Sequence, residues 1–539
     1  MVRHLWPPVV GCFPRYRSKN LFNPGERLLR RGDYIRGSFV RPELVDGYVV
    51  GVNPGDRDDD LGRFTFSKSS VDACVYAANR AKTVWQAKKL ADRCTALRTA
   101  REYLSARQER IAVLITRETG KPIWEAQQEV VATIRTIDLF LDDGLSYLAS
   151  KIIDPREARS EQVPRGVVGI ITPYNMPLLL PMTQVCAALL SGNVVVLKTS
   201  KFTPGTGQLI SEIMDRCRLP RGTFNAFQGS GAVNGARLAA HPDLDALLFS
   251  GSHRTAQKVG ALLGKRPELP VMLQTGGKGC ALVIEGCDMD RAVYETLVST
   301  FLTSGQRYNS TGRVIVTKTV FDGFCKSLVR RAKKLKIGYG MEKDTFIGPL
   351  ICDAMRKKYL KYSQAVHSKG HSVLLPAMEA KVDRRGFYVR PAIHWVHWEK
   401  GGAFLNDEPP GPTLLIYQVD TWEEAIALHN RLEYRPAAAL FVDPSHTYFD
   451  EMKRRIVTGS LNINRGTIGS SIRLPASGRG RASNGHSGGL ELLRFLSTQR
   501  AVLEDTRPFD PQSALPGMGW NDLSEEPTDL GVAQVTEQA

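Results

Sequence analysis

GlyValValGlyIleIle at residues 166–171 runs straight into ThrProTyrAsnMetPro at 172–177. The first run carries no polar side chain on either alternating face, the pattern of a strand buried on both sides. The prolines that follow bracket a turn, and a helix is predicted to open near Pro177. The alternation continues through AsnValValValLeu (193–197), a helix after Pro204, PheAsnAlaPhe (224–227), a helix over 232–240, AlaLeuLeuPhe (246–249) and a helix from Ser252. Repeated strand–helix units predict an α/β fold, a parallel sheet with crossover helices on both faces, and such sheets take ligands at the carboxyl ends of their strands.

Upstream of this block the chain reads as amphipathic helices. Ser70 is expected to cap a segment in which Val71, Val75, Ala78, Ala81 and Trp85 follow helical spacing, and a second helix is predicted over 111–118. Downstream, a second α/β block spans about 281–465, with predicted strands at 281–284, 314–316, 413–417 and 438–442. Residues 466–488, rich in Gly, Ser and Arg, read as a loop, and 496–503 as a final strand.

The 539 residues correspond to about three or four domain-sized units. With 42% hydrophobic and 24% charged residues the chain has the composition of a globular protein, which excludes global disorder. No apolar run approaches the ~18 residues of a membrane-spanning helix. The nine cysteines are scattered singly with no CxxC pair, against both a zinc site and a disulfide framework, so a reducing, cytoplasmic setting is expected. The 72 Lys and Arg against 55 Asp and Glu leave a net charge of +17. These cations are scattered, with no nucleic-acid motif beside them, so nucleic acid is not the expected partner. Residues 1–46 form a basic extension and 507–539 an acidic tail.

The turns after the strands hold the residues suited to chemistry. Asn175 lies just past a buried strand, where its amide can donate to a developing oxyanion. Lys198 emerges from the next strand, with Lys201 close behind, in reach of a ribose or phosphate. The glycine-rich turn from Gly229 (GlySerGlyAlaValAsnGly, 229–235) and PheSerGlySer (249–252), ending in Ser252, present backbone N–H groups at successive strand ends. Together they predict a dinucleotide site.

From about residue 47 to 506 the chain resembles the aldehyde dehydrogenase superfamily. The resemblance rests on ArgGluThrGlyLysProIleTrpGluAla (117–126), ProTyrAsnMetPro (173–177), GlyAsnValValValLeuLys (192–198), PheSerGlySer (249–252), GlyGlyLys (276–278), SerGlyGlnArg (304–307) and GluProProGlyPro (408–412). It is most similar to the succinylglutamate semialdehyde dehydrogenase branch. The resemblance implies a Rossmann-like domain binding NAD or NADP (47–273, with an oligomerisation strand around 151–165), a catalytic-type domain (274–465), and a return segment with a second oligomerisation strand (466–506). It also implies a β-hairpin extension, assembly as a homo-oligomer (dimer or tetramer) and a small aldehyde or semialdehyde ligand. By position, Asn175 corresponds to the oxyanion donor, Lys198 to the adenine-ribose contact, Ser252 to the pyrophosphate contact and Glu408 to the nicotinamide-ribose contact.

The departures fall on the reacting groups. Tyr308 follows GlyGlnArg (305–307) where the family has its nucleophilic cysteine, and Gln274 stands where the family has its general-base glutamate. A phenol titrates near ~10 against ~8.5 for a thiol, so its anion is scarce at neutral pH, and an amide takes no proton from water. Lys201 replaces a ribose-binding glutamate and suits a 2′-phosphate. Ala256, Pro410 and ProAlaSerGly (475–478) replace a helix glycine, a phenylalanine beside the nicotinamide and the ProPheGlyGly motif. The expectation is a catalytically impaired homologue that keeps dinucleotide binding and acts as a scaffold, alone or with an active homologue. Two alternatives are a reductase in which Tyr308 and Asn175 polarise a carbonyl, and a basic-surface binder of an anionic partner.

Overall fold

The computed structural model describes residues 28, 30–154, 158–398 and 404–518; most of the basic extension and the end of the acidic tail lie outside the described residues. By its internal contacts the chain divides into a main unit, 1–149 with 162–498, and a small one, 150–161 with 499–539.

The main unit is built on two seven-stranded sheets. In the first, the parallel strands run Val271–Gln274, Ala246–Ser250, Val167–Ile171, Val194–Lys198 and Phe224–Phe227 across the sheet. Val167–Ile171 comes first in the chain yet sits at the centre. Strand order therefore reverses between it and Ala246–Ser250, which opens a crevice at their carboxyl ends. The three central strands, Ala246–Ser250, Val167–Ile171 and Val194–Lys198, are buried throughout, because helices cover both faces. Asp33–Ile35 and Ser38–Val40 add two antiparallel strands at the edge beside Phe224–Phe227, so residues 33–40 of the extension complete this sheet.

The second sheet runs Ser372–Leu375, Ala392–Trp395, Thr413–Val419, Thr311–Thr317, Gly279–Val283, Ala438–Phe441 and Leu461–Ile463. The four strands at its centre match the predicted ones. The strands on either flank carry polar residues such as His394 and Asn462, which break the apolar run that marks a buried strand. The small unit pairs Lys151–Asp154 antiparallel with Ala158–Pro164, beside which lies Ser497–Leu503.

Ser70 does not cap its helix. The helix spans Ser69–Gln86 with Lys68 at the cap position, and Ser70 is buried inside the first turn. Ser67 Oγ accepts from the Ser69 N–H at 3.3 Å, doing from one turn earlier what was expected of Ser70.

Asp33 anchors the edge hairpin. Its Oδ1 accepts from the Gln228 N–H at 2.8 Å, while Oδ2 is buried without a hydrogen-bond partner. Burial pushes this carboxyl from 3.8 up to about 6, with the nearby Ser70 hydroxyl and the Gln228 N–H offsetting only part of the rise. A carboxyl whose pKa is raised by folding stabilises the native state fully below its unfolded value and loses that contribution as pH rises through the folded one. Asp33→Asn keeps an acceptor for Gln228 and removes the charge. It is therefore expected to raise stability at pH 7 by roughly 1–3 kcal/mol and to flatten the stability profile between 3.8 and about 6, as read by urea midpoints. Unchanged pH dependence would show that Asp33 is solvated.

Candidate functional site

Gln274 closes the strand Val271–Gln274, and Tyr308 lies in the turn ahead of Thr311–Thr317. The fold brings both onto the wall of one small cleft, part of it open to solvent. Gly276 makes the approach feasible: its φ is +79°, and an added Cβ would lie 2.9 Å from Tyr308 Cβ. The Tyr308 carbonyl accepts from the Lys278 N–H at 3.0 Å, which ties the two loops together. Surrounding protein raises the Tyr308 phenol above its ordinary value despite Arg307 nearby, although 41% of the residue's surface reaches solvent. Gln274 Oε1 accepts from Ser250 Oγ at 3.4 Å, and Ser250 Oγ accepts from Gln184 Nε2 at 3.1 Å.

The loop before Tyr308 is held by charges from the segment 117–126 and from Arg307. Thr303 and Ser304 adopt left-handed backbone conformations, with φ of 54° and 53°. Such a loop persists only when its surroundings over-determine it. Buried Glu125 does so by accepting from Thr303 N at 3.1 Å, from the Thr303 hydroxyl, and from Arg307 Nη2 at 2.8 Å. Burial alone would raise the Glu125 carboxyl, but Arg307 and Lys121 outweigh it and hold it below its ordinary value. Lys278 Nζ donates to the Gly305 carbonyl from the opposite side.

Asn175 belongs to the same assembly. Its Nδ2 donates to the Gln306 carbonyl at 3.0 Å, and Oδ1 is buried without a partner. The amide proposed for an oxyanion is thus engaged with the loop that carries Tyr308. Gln306 Oε1 accepts from Tyr174 at 3.2 Å and from Ile351 N at 3.0 Å. Lys121 Nζ donates to the Asn175 carbonyl at 2.9 Å and to Glu129 at 2.6 Å, while Glu129 Oε1 accepts from the N–H groups of Leu178 and Leu179. Lys121, Glu125 and Glu129 recur every four residues, so one face of the helix Ile123–Leu141 and its entry serves both loops. That spacing was the available signal.

At the strand ends of the first sheet, Lys198 is 4% exposed, and among the described residues its Nζ has no hydrogen-bond or ion-pair partner. Burial, with Lys201 adding to it, brings this ammonium down to about 8. A Cβ added at Gly235, at the end of the turn that starts at Gly229, would lie 3.9 Å from Lys198 Cδ. Gly229 has φ +145° with no room for a Cβ, which would lie 2.3 Å from Asn234 Oδ1. Lys201 is exposed, its Nζ 5.1 Å from the Phe202 ring centroid. Ser252 caps the helix His253–Leu263, its hydroxyl accepting from Thr255 N at 3.3 Å. Glu408 is exposed and acts electrostatically on Lys278, whose ammonium burial brings down to about 8 against the pull of that carboxylate.

Comparison with known proteins bears on this arrangement. The aldehyde dehydrogenase family model matches residues 49–502. The chain belongs to the aldehyde dehydrogenase family. It is 31% identical over 471 residues to N-succinylglutamate 5-semialdehyde dehydrogenase of Burkholderia lata, covering 86% of this chain and 95% of that protein. It is 29% identical over 465 residues to alpha-ketoglutaric semialdehyde dehydrogenase of Bacillus subtilis, covering 84% and 93%. Among solved structures, lactaldehyde dehydrogenase from Escherichia coli matches with a TM-score of 0.82 at 28% identity, over 88% of this chain and 99% of that one. A NAD-dependent aldehyde dehydrogenase from Sinorhizobium meliloti matches with a TM-score of 0.84 at 26% identity, over 92% and 98%. The α/β architecture with two parallel sheets is thus that of an aldehyde dehydrogenase. None of the described helices is long and apolar enough to cross a membrane.

Proposed function

We propose that this aldehyde dehydrogenase family member has lost the oxidative chemistry, retains binding of NAD or NADP, and acts as a scaffold or regulatory subunit. The observation that carries the reading is the pair Tyr308 and Gln274 on one cleft wall, a phenol and a carboxamide where the family's mechanism needs a thiolate and a base. Retained cofactor binding is supported by Lys198, a buried residue near the Gly229 turn whose amine has no partner among the described residues. The NAD-dependence named for the S. meliloti relative points the same way. Lys198, the Gly229 turn and the Ser252-capped helix would hold the dinucleotide, Glu408 would meet its nicotinamide ribose, and exposed Lys201 favours the 2′-phosphate of NADP. Bound there, a nicotinamide would supply hydride transfer.

Assembly is supported by the small unit, whose strands leave Ile152, Ile153 and Leu503 exposed at 65%, 62% and 83%. Within it Arg159 pairs with Glu504 at 2.5 Å and Arg500 with Glu161 at 2.6 Å. A homo-oligomer, or a mixed assembly with an active homologue, would cover these side chains.

Thermal-shift titration with NAD, NADP and their reduced forms tests the cofactor reading. A ligand at 100 times its Kd stabilises the native state by about 2.7 kcal/mol, a shift on the order of a few degrees or less for a chain of this size. NADP is expected to shift the transition at least as far as NAD, and Lys198→Met to abolish both responses. A flat response to all four would remove dinucleotide binding. The reductase alternative draws on the Tyr308 hydroxyl, which has no partner among the described residues, and requires NADPH consumption with aldehydes; the engaged Nδ2 of Asn175 counts against it.

A further inference from the structure

Two cations lie behind the loops that carry Gln274, Tyr308 and Glu408. Lys278 is 4% exposed and Arg313 1%, and among the described residues neither has an ion-pair partner. Each spends its donors on backbone carbonyls instead. Lys278 Nζ donates to the Gly305 carbonyl, ahead of Tyr308. Arg313 Nη1 donates to the Gly277 carbonyl at 3.4 Å, just past Gln274. Its Nη2 donates to the Asp407 carbonyl, in the peptide group that joins Asp407 to Glu408, while Nε is buried without a partner. The two cations come from neighbouring segments: a Cβ added at Gly312 would lie 2.7 Å from Lys278 Cβ.

Tyr434 ties this edge to the first sheet. A Cβ added at Gly277 would lie 2.2 Å from Tyr434 Cδ1, and the Tyr434 ring meets His253 edge-on with centroids 5.5 Å apart. His253 opens the helix that Ser252 caps, and Glu408 acts electrostatically on both Tyr434 and Lys278.

The carboxylates at this edge, Asp407 and Glu408, are exposed, where water and salt screen them, whereas Lys278 and Arg313 are buried and screened much less. Exposed Lys358 adds positive charge within reach of Lys278. Arg307 pairs with Glu125, and Arg481 with Glu433. Gln274 is an amide, and the Tyr308 phenol is held above its ordinary value, so neither altered position supplies an anion at neutral pH. A nicotinamide ring carries a positive charge when oxidised and none when reduced. Beside these cations the oxidised ring meets a repulsion that the reduced ring escapes.

We infer that this edge selects the reduced dinucleotide, NADH or NADPH, over its oxidised form. The inference deepens the reading above and rests on it, since it needs the nicotinamide ribose to meet Glu408. Such a preference lets a subunit without oxidative chemistry respond to the redox state of the dinucleotide pool.

Isothermal titration of the full-length protein with NAD, NADH, NADP and NADPH tests it, with ADP and 2′,5′-ADP as probes that lack the ring. In whichever pair binds, the reduced form is expected to bind at least about fivefold tighter, both near ~0.15 M and near ~0.5 M salt. Lys278→Met removes a buried cation and Gln274→Glu supplies an anion. Each is expected to narrow the ratio of reduced to oxidised affinity and to leave ADP or 2′,5′-ADP binding unchanged. Oxidised cofactor binding as tightly as reduced, a preference that vanishes at the higher salt, or a ratio that neither variant moves overturns the inference and leaves the cofactor reading standing. No binding by any of the six probes overturns both. Gln274→Glu decides the charge argument even if Lys278→Met fails to fold.

Discussion

The double variant Tyr308→Cys, Gln274→Glu is expected to oxidise aldehydes with NAD or NADP at least ~10²-fold faster than the unaltered protein, whose turnover should be undetectable. The scaffold already accommodates both changes. Cys is smaller than the tyrosine that packs against Gly276, and Ser250 Oγ can donate to a carboxylate introduced at position 274 as it does to the Gln274 carbonyl. Each single variant restores one member of a two-part mechanism and should gain much less, because nucleophile and base act as a unit. Two results would sink the idea. One is steady aldehyde oxidation by the unaltered protein that disappears in Tyr308→Phe. The other is a silent double variant that still shows a thermal shift with dinucleotide, since the missing chemistry would then lie elsewhere.

Lys121→Met is expected to lower stability by about 3–5 kcal/mol, measured as a urea midpoint at neutral pH. The Lys121 and Glu129 side chains are each only 1% exposed and lie 2.6 Å apart, so removing the amine leaves a buried carboxylate without its cation. The same amine holds the Asn175 carbonyl, so the variant should also loosen the turn that reaches Gln306. Replacing Glu129 as well, in Lys121→Met with Glu129→Met, is expected to recover only part of the loss. Glu129 also accepts from Leu178 N and Leu179 N at the start of the helix Leu179–Leu190, and those donors would stay unmet. A loss below about 1 kcal/mol for the single variant would mean that the pair is solvated.

Much of the first sheet was legible because its strands are buried on both faces. Val167–Ile171, Val194–Lys198 and Ala246–Ser250 present unbroken or nearly unbroken apolar runs, and proline or serine marks where the helices follow. The flanking strands of the second sheet were not, since His394 and Asn462 interrupt the pattern with polar groups that find partners only in the folded chain: His394 Nε2 meets Ser363 Oγ, and Asn462 Nδ2 donates to the Ala438 carbonyl. Helix starts divide the same way. Ser252 caps its helix from the adjacent position in sequence. Pro204–Arg216 is instead capped by Glu118, which accepts from Gly205 N and Thr206 N at 2.6 and 2.7 Å from 87 and 88 residues away.

The sequence by itself determined the family and the chemical identity of the side chains at the two altered positions, because motif order and residue type are local properties of the chain. It could also place Lys198 and Ser252 at strand ends, since strand and turn signals lie within a few residues of each. Tertiary structure decided what those groups can do. Whether the Asn175 amide is free, whether Lys198 has a partner, and whether Gln274 and Tyr308 share a wall depend on contacts between segments tens to hundreds of residues apart. The neutrality of that wall was beyond the sequence for the same reason. The chain carries +17 overall, yet the described residues lining the cleft present hydroxyls and an amide rather than charged groups.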